Sequence, residues 1–174
     1  MNTNNSSFLV LTVIGDDRPG LVGELSALIS AHQGNWLESA MSQLAGKFAG
    51  IVKIEIAADR AATLKAELDR LTGLRVTSEI TAPRERGQAR LLKLSLVGHD
   101  RIGIVREVSQ VLARHAVNVE KLTTYTSSAA MSAATLFHAQ AELRAAPELD
   151  PQLLTKELEQ ISNDLMVDLS IDEA

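Results

Sequence analysis

Two stretches of this chain decide its fold: Gly15-Asp16-Asp17-Arg18-Pro19-Gly20-Leu21-Val22 and, 83 positions later, Gly98-His99-Asp100-Arg101-Ile102-Gly103-Ile104-Val105. Each stretch follows an apolar run typical of a strand and precedes an amphipathic run typical of a helix. A match at a constant shift indicates an internal duplication. We therefore predict two small units of roughly 80 residues each.

The pattern around each stretch predicts the same order of elements, βαββαβ. In the first half we expect strands at 8–14 and 74–80, a hairpin at 35–44 and 47–56, and helices starting at Leu21 and at an Asp59 cap. In the second half we expect strands at 91–97 and 165–171, a hairpin at 118–126 and 134–142, and helices at 104–115 and 151–162. This order predicts an α+β chain of two ferredoxin-like sandwiches in tandem, each with both helices on one face of an antiparallel sheet.

The domain limits follow from composition. The stretch at 82–89 is polar, contains proline and glycine and lacks periodicity, so it is predicted to link a first domain at 8–81 to a second at 90–172. Helices cover only one face of each sheet, and units of this size bury a smaller share of their surface than larger domains do. Pairing of sheets or of sheet edges is expected to cover the rest, and we predict a homodimer.

The shift between the halves also locates insertions. It stays at 83 as far as Asn35 and Asn118, and it is expected to grow by two in the second hairpin, where Ala49 aligns with Ala134. It grows again in the stretch at 144–149. These positions fall in predicted turns, where added residues are tolerated best.

Composition narrows the classes of function. The chain has no cysteine, which excludes disulfides, zinc–thiolate sites, iron–sulfur clusters and a thiol nucleophile. A net charge of −5 and few aromatic residues disfavour direct binding of nucleic acid. No apolar run is long enough to span a bilayer, and the polar start lacks the features of a secretion signal, so a cytoplasmic protein is expected. No metal, phosphate-loop or hydrolase motif is present, and we predict no cofactor and no enzymatic activity.

The repeated turn is the candidate binding site. Amides in the first turn of a helix have no intrahelical partners, and the helix dipole adds positive potential, so an anion is stabilised there. Gly15 and Gly20 permit close approach, and Arg18 is a candidate charged donor for a carboxylate. Asp16, Asp17 and Asn35 are candidates to meet the ammonium group of an amino acid.

The two turns are not chemically equal, because His99 replaces Asp16 and Ile102 replaces Pro19. The first turn is therefore the better candidate. An alternative stays open for both turns. In it Asp17 and Asp100 cap helices, Arg18 and Arg101 form surface pairs, Gly15 and Gly98 end strands, and Asn35 and Asn118 are helix C-caps or turn residues.

Histidine and hydroxyl residues outside the turn give weaker signals. His32 and His115 end helices, where imidazole is favourable with the dipole. His138 is predicted to be exposed on a strand. The hydroxyl cluster at 123–128 is interpreted as solvated strand sequence, because no adjacent base is evident. The acidic side chains Asp168, Asp172 and Glu173 are interpreted as a solvated strand and tail.

With this element order, the Gly-Asp-Asp-Arg-Pro-Gly-Leu-Val turn and Asn35 after the first helix, each half resembles the ACT domain, a ferredoxin-like regulatory module that commonly binds amino acids. Two such units alone, with Asn35-Trp36-Leu37-Glu38-Ser39 and Gly46-Lys47-Phe48 in the first hairpin, resemble the glycine cleavage system transcriptional repressor family. Similar turns introduce ACT units in formyltetrahydrofolate deformylases, phosphoserine phosphatases and nitrogen-sensing uridylyltransferases, but this chain has no catalytic domain beside them.

The resemblance implies a regulator without a DNA-reading domain. It would respond to glycine and act through a protein partner, the activator of the glycine cleavage operon. The residues implied in effector binding are Gly15, Asp16, Asp17, Arg18, Pro19, Gly20, Leu21 and Asn35, with Asp100, Arg101, Gly103 and Asn118 in the second repeat. The alternatives are a constitutive interaction scaffold without a ligand, and a regulatory subunit of an amino-acid or one-carbon metabolic enzyme.

Overall fold

The computed structural model describes residues 6–82, 87–128 and 134–171. The chain divides into two compact units, unit 1 at Met1–Glu85 and unit 2 at Arg86–Ala174. The central part of the predicted linker, the tip of the second hairpin at 129–133 and the acidic end at 172–174 lie outside the described residues. Within those described ranges, no helix has the length and apolar character needed to cross a membrane.

Unit 1 folds as one four-stranded antiparallel sheet with two helices. Its elements are β1 (Ser6–Asp16), α1 (Leu21–Ala31), β2 (Asn35–Leu44), β3 (Lys47–Ala57), α2 (Ala58–Leu68) and β4 (Leu74–Thr81). The strand order is β2-β3-β1-β4, so the first strand is central and the hairpin and last strand flank it. The predicted βαββαβ order is confirmed for this unit.

Unit 2 repeats this topology. Its elements are β5 (Arg90–His99), α3 (Ile104–Arg114), β6 (Asn118–Ser128), β7 (Thr135–Ala145), α4 (Pro151–Glu159) and β8 (Met166–Ile171). The strand order β6-β7-β5-β8 matches that of unit 1 strand for strand. The chain is therefore an α+β protein with two ferredoxin-like sandwiches, as the sequence predicts.

The core of each unit lies between the sheet and its helices. On β1, Leu9, Leu11 and Val13 are buried and alternate with more exposed residues, as expected for a strand with one covered face. They belong to one cluster with apolar side chains of both helices, including Leu25 and Leu64. The opposite sheet face carries none of the buried cluster, so it is available for other contacts.

Strand pairing gives the true correspondence between the units. Leu11 pairs with Val52 in unit 1, whereas Leu94, which lies 83 positions after Leu11, pairs with Ala141 in unit 2. The shift between β3 and β7 is therefore 89, from 52 to 141, and the prediction that it grows by only two in the hairpin is wrong. With this register Phe48 corresponds to Phe137, opposite Gly15 and Gly98. The short sequence match at Ala49 and Ala134 gave the wrong alignment of β3 with β7, because small and apolar residues recur along any half-buried strand.

Strand pairing also gives the correspondence between the last strands of the two units. Leu11 pairs with Ser78 and Leu94 pairs with Leu169, so the shift between β4 and β8 is 91. This second increase agrees with the predicted insertion between β7 and α4. Structural counterparts are therefore 83 positions apart in the first half of each unit, 89 apart in β3 and β7, and 91 apart in β4 and β8.

One predicted helix cap is wrong. The N-cap of α2 is Ala57, which has an extended backbone and no side-chain hydrogen bond, and Asp59 lies inside the first turn. The reason is that β3 runs directly into α2 without an intervening loop. In unit 2 the N-cap of α4 is Asp150, whose carboxylate accepts a hydrogen bond of 2.9 Å from the Gln152 amide.

Candidate functional site

The repeated turn has the same backbone geometry in both units. Gly20 and Gly103 are the N-caps of α1 and α3, with φ of 93° and 94°, a left-handed conformation that favours glycine. Neither helix has a side-chain cap. The alternative in which Asp17 and Asp100 cap these helices is therefore wrong, and the first-turn amides have no side-chain acceptor.

An arginine and a glutamate form an ion pair at each turn. The Arg18 guanidinium donates two hydrogen bonds to the Glu24 carboxylate, at 2.6 and 2.7 Å. Arg101 does the same to Glu107, at 2.9 and 2.5 Å. The hydrogen bonds lower the pKa of each glutamate from its ordinary value and raise the pKa of each arginine.

These pairs change the role expected of Arg18. Its fork of donors holds the Glu24 carboxylate, as in the surface-pair alternative. Sequence reasoning missed Glu24 and Glu107 as members of the turn. A signal was present, because an arginine and a glutamate six residues apart recur in both repeats at the same shift.

In unit 1 the end of β1 is crowded on one side. A Cβ on Gly15 would lie 2.1 Å from the Gly73 carbonyl oxygen, so no larger residue fits without backbone movement. The Asp16 carboxylate accepts a hydrogen bond from Lys47 at the start of β3. The Asp17 amide donates to the Gly46 carbonyl at 2.9 Å, which ties the turn to the β2–β3 hairpin.

A surface cavity of about 620 Å³ opens beside this strand end. Gly15, Asp16, Lys47, Asp69 and Arg75 are among its lining residues. It therefore presents two carboxylates and two cationic side chains to the same space. Charges of both signs at one cavity suit a small zwitterion, whose carboxylate and ammonium groups need opposite partners.

In unit 2 the corresponding place is internally paired. Asp164 is the counterpart of Gly73, at a shift of 91. Its carboxylate accepts hydrogen bonds of 2.8 Å from the backbone amide and from Nδ1 of His99, and another from the Ser162 hydroxyl. The Ser162 hydroxyl and the His99 amide hold the pKa of Asp164 well below its usual range. His99, which replaces Asp16, thus has a partner within its own turn.

Asn35 does not meet the turn within unit 1. It pairs with Glu55 on β3, whereas Asp16 pairs with Lys47, eight residues along the same strand or roughly 27 Å away. Asn35 lines a different surface cavity, of about 500 Å³, together with Glu55 and Asp59. Asn118 is placed likewise, opposite Arg144, while His99 lies opposite Leu136. A ligand that touches both Asp16 and Asn35 therefore needs more than one copy of the unit.

The helix-end histidines link the two helices of each unit. His32 Nε2 lies 3.0 Å from the Glu67 carboxylate, and His115 Nε2 lies 3.2 Å from the Glu157 carboxylate. The hydrogen bond from His115, followed by that from Arg114, lowers the pKa of Glu157. Both histidines are thus placed as structural residues at helix C-termini.

His138 differs from its prediction. It is half-buried rather than exposed, because its ring stacks on Tyr125 with centroids 4.5 Å apart and planes at 4°. Its Nε2 lies 2.8 Å from the Ser127 hydroxyl, so a base does adjoin the hydroxyl cluster. Among the described residues no carboxylate orients His138, and the pair lacks the third member of a catalytic triad. In the same ranges no group of three or more side chains is arranged to hold a metal ion.

Comparisons with known proteins agree with this architecture. The ACT domain family model matches residues 7–79. The crystal structure of an unknown protein from Galdieria sulphuraria superimposes with a TM-score of 0.86 at 27% identity, over 97% of this chain and 99% of that one. A candidate glycine cleavage system transcriptional repressor superimposes with a TM-score of 0.67 at 20% identity over the same shares. No curated protein sequence matches the chain. Residues 7–79 of unit 1 therefore resemble the ACT domain, and the whole chain shares the tandem fold of these two solved structures.

Proposed function

We propose that this chain is a non-enzymatic regulator that binds a small amino acid at the turn of unit 1 and passes its occupancy to a protein partner. The ACT domain in unit 1 supports regulation by an amino acid. The fold shared with a candidate glycine cleavage repressor suggests glycine as effector and a transcriptional regulator of the glycine cleavage operon as partner. We also propose that the protein is a cytoplasmic homodimer and that its two domains lie at 8–81 and 90–172.

The observation that carries the proposal is the cavity of mixed charge beside Gly15. The carboxylate of an amino acid is matched by Lys47 and Arg75, and its ammonium is matched by Asp16 and Asp69. Binding divides the Asp16–Lys47 pair, since each partner then meets one end of the zwitterion. The ligand's two charges replace the two that were paired, so no charge is left alone.

Unit 2 is the weaker site in this proposal. Its counterpart of Asp16 is His99, which is held by Asp164. A ligand there would have to break a hydrogen-bonded cluster that also satisfies a backbone amide. Occupancy regulates a partner only if one arrangement of the protein binds the ligand better than another does.

Isothermal titration calorimetry of the full chain with glycine, serine and alanine tests the proposal. We expect one site per chain, with affinity reduced about tenfold or more by Asp16→Ala because the ammonium loses its carboxylate. The matched control is His99→Ala in unit 2, which should leave affinity unchanged. Binding that is lost in the control and kept in Asp16→Ala would move the site to unit 2, and no heat with any amino acid would overturn the sensing role.

A constitutive interaction scaffold is the second candidate, and the arginine–glutamate pairs favour it. Glu24 binds Arg18 in unit 1, and Glu107 binds Arg101 in unit 2. The arginine of each turn therefore has a partner within its own unit. A pull-down of native partners with and without glycine separates the two. A scaffold captures the same proteins in both conditions, whereas a sensor changes its partners or the amount captured.

A further inference from the structure

Unit 2 holds a serine and a histidine in hydrogen-bond contact on the face of its sheet that points away from the helices. His138 alternates along β7 with the buried residues Phe137 and Ala139, so its ring lies on the outward face. Its Nε2 atom lies 2.8 Å from the Ser127 hydroxyl. A nucleophile and a base within hydrogen-bond reach are the first requirement for covalent chemistry at a serine. We call these two residues the Ser127–His138 dyad.

Tyr125 fixes the plane of the histidine ring. It lies directly opposite His138 on β6, and the two rings stack with centroids 4.5 Å apart and planes at 4°. Ser127 follows Tyr125 by two residues and therefore lies on the same face of the strand. The stacked ring keeps its Nε2 atom beside the hydroxyl, so the dyad is oriented before any reactant arrives.

The corresponding place in unit 1 has neither the serine nor the histidine. The positions of the tyrosine, the serine and the histidine are occupied there by Ser42, Leu44 and Ala49. The two units have the same strand order and the same pairing of the hairpin strands. The fold therefore does not require a contact between a hydroxyl and an imidazole at this place.

We propose that Ser127 is a site of covalent acylation and that His138 is the base that activates it. The donor is an activated carboxylic acid derivative of the thioester class. The Ser127 oxygen attacks the carbonyl carbon of the thioester while Nε2 of the neutral imidazole takes the hydroxyl proton. The bond between this oxygen and the acyl carbon forms, and the bond between that carbon and sulfur breaks. The thiol leaves with the proton from the imidazolium, and the chain keeps an ester at Ser127.

The neighbours of the dyad suit the carbon chain of an acyl group. Leu136 lies directly opposite Ser127, and Val97 lies opposite His138 on the central strand β5. Both side chains are apolar and half-buried, so part of each is open to contact. Covering them with an aliphatic group removes apolar surface from water, which favours binding of the acyl donor at this place.

A phosphoryl group would lack cationic partners there. The sequence from Tyr125 to Gln140, which forms most of the hairpin, has no lysine or arginine. His99 lies opposite Leu136, but its Nδ1 is 2.8 Å from the Asp164 carboxylate. Because phosphate recognition relies on charge-assisted hydrogen bonds, an acyl donor is favoured over a phosphoryl donor. The proposal concerns a modification of unit 2 and does not depend on amino-acid binding in unit 1.

Incubation of the full chain with phenyl thioacetate, a simple acyl thioester, tests the proposal. The chain has no cysteine, so a thiol-specific reagent measures only the thiol that leaves the donor. Digestion and mass spectrometry then locate the acetyl group. We expect it on Ser127 of the wild-type chain. A chain that is not acetylated, or one that is acetylated only on lysines, overturns the proposal.

Three variants test the roles within the dyad. Ser127→Ala should abolish acetylation of its peptide, and His138→Gln should slow acetylation of Ser127 about a hundredfold, as expected for loss of a general base. The matched control is Ser128→Ala, which removes the next hydroxyl, on the other side of the strand, and should leave the rate unchanged. Circular dichroism checks that each variant is folded. An unchanged rate in His138→Gln, or loss of acetylation in Ser128→Ala, overturns the proposal.

Two further variants test Tyr125 as a positioning residue. Tyr125→Phe keeps a ring stacked on His138 and should keep the rate of acetylation, whereas Tyr125→Ala should lower it about tenfold because the imidazole is no longer held in place. Equal rates in the two variants overturn this role of the stacked ring. Because no amino acid is present in these reactions, their result is separate from the calorimetric test of ligand binding.

Discussion

The two units of this chain share a backbone but differ in what they show to their surroundings. In both units a glycine in the left-handed conformation lies immediately before the first helix. An arginine–glutamate pair with two hydrogen bonds lies at the same turn in each. They differ where Asp16 and Gly73 of unit 1 are replaced by His99 and Asp164 of unit 2. The glycine of the turn is therefore fixed by its backbone conformation, whereas the replaced residues change the hydrogen bonds beside it.

The strictest test of the shared backbone is at the strand ends. Gly15→Ala would bring a Cβ to 2.1 Å from a backbone carbonyl, whereas Gly98→Ala meets the end of the Leu165 side chain at 2.9 Å. A side-chain end can rotate away, whereas a backbone carbonyl moves only together with its chain. We expect Gly15→Ala to lower the free energy of unfolding of unit 1 by about 3 kcal/mol and Gly98→Ala to lower that of unit 2 by about 1 kcal/mol.

The measurement uses the single tryptophan of the chain. Trp36 packs against the core of unit 1, so its fluorescence during denaturant unfolding follows that unit. Hydrogen exchange of peptides from 90–171 follows unit 2 in the same samples. Equal losses of unfolding free energy in the two units would contradict the expected difference between a clash with backbone and a clash with a side chain.

The fold was predictable because its signals are local and repeated. The alternation of Leu9, Leu11 and Val13 and the helical spacing of Leu21, Leu25 and Ile29 give element types directly, and the duplication confirms each assignment a second time. The hairpin correspondence was not predictable, because it depends on which residue of β7 pairs with Leu94 across the sheet. Alternation has a period of two and does not fix that register.

The candidate site was predictable only in part. The glycine turn was visible in sequence, but the pairing of Arg18 with Glu24 depends on the direction of two side chains around the first helical turn. Asn35 seemed near the turn because only α1 separates them, yet a helix of eleven residues spans about 16 Å and carries the chain to the far end of the sheet. Asp164 had no local signal, since it meets His99 across 65 positions of sequence.

A second prediction tests the divergent turn. Asp164→Ala removes the acceptor of the His99 amide and should lower the melting temperature of unit 2 by a few degrees at neutral pH, an effect smaller than that of Gly15→Ala. The pKa of Asp164 is depressed in the folded state, so its contribution is present above its unfolded pKa and is lost as pH falls through the folded one. The difference between variant and wild type should therefore shrink in acid. A difference that stays constant with pH would show that the charge of Asp164 is not what stabilises the turn.

The smallest effect is expected at the shared arginine–glutamate pairs. Glu24→Gln and Glu107→Gln each replace a charge-assisted pair with a neutral one at an exposed site, where such pairs contribute little. Because the pKa of both glutamates is lowered in the folded protein, the loss should be present at neutral pH and fade below about pH 4, near the ordinary value for glutamate. Salt should weaken the effect in both units, since both pairs are exposed to a similar extent. Thermal unfolding at several pH values, followed by Trp36 fluorescence for unit 1 and hydrogen exchange for unit 2, measures both. A clear difference between the losses of stability of the two variants would mean that the two turns differ in more than Asp164 and His99. The arginine–glutamate pair of one unit would then have an additional role.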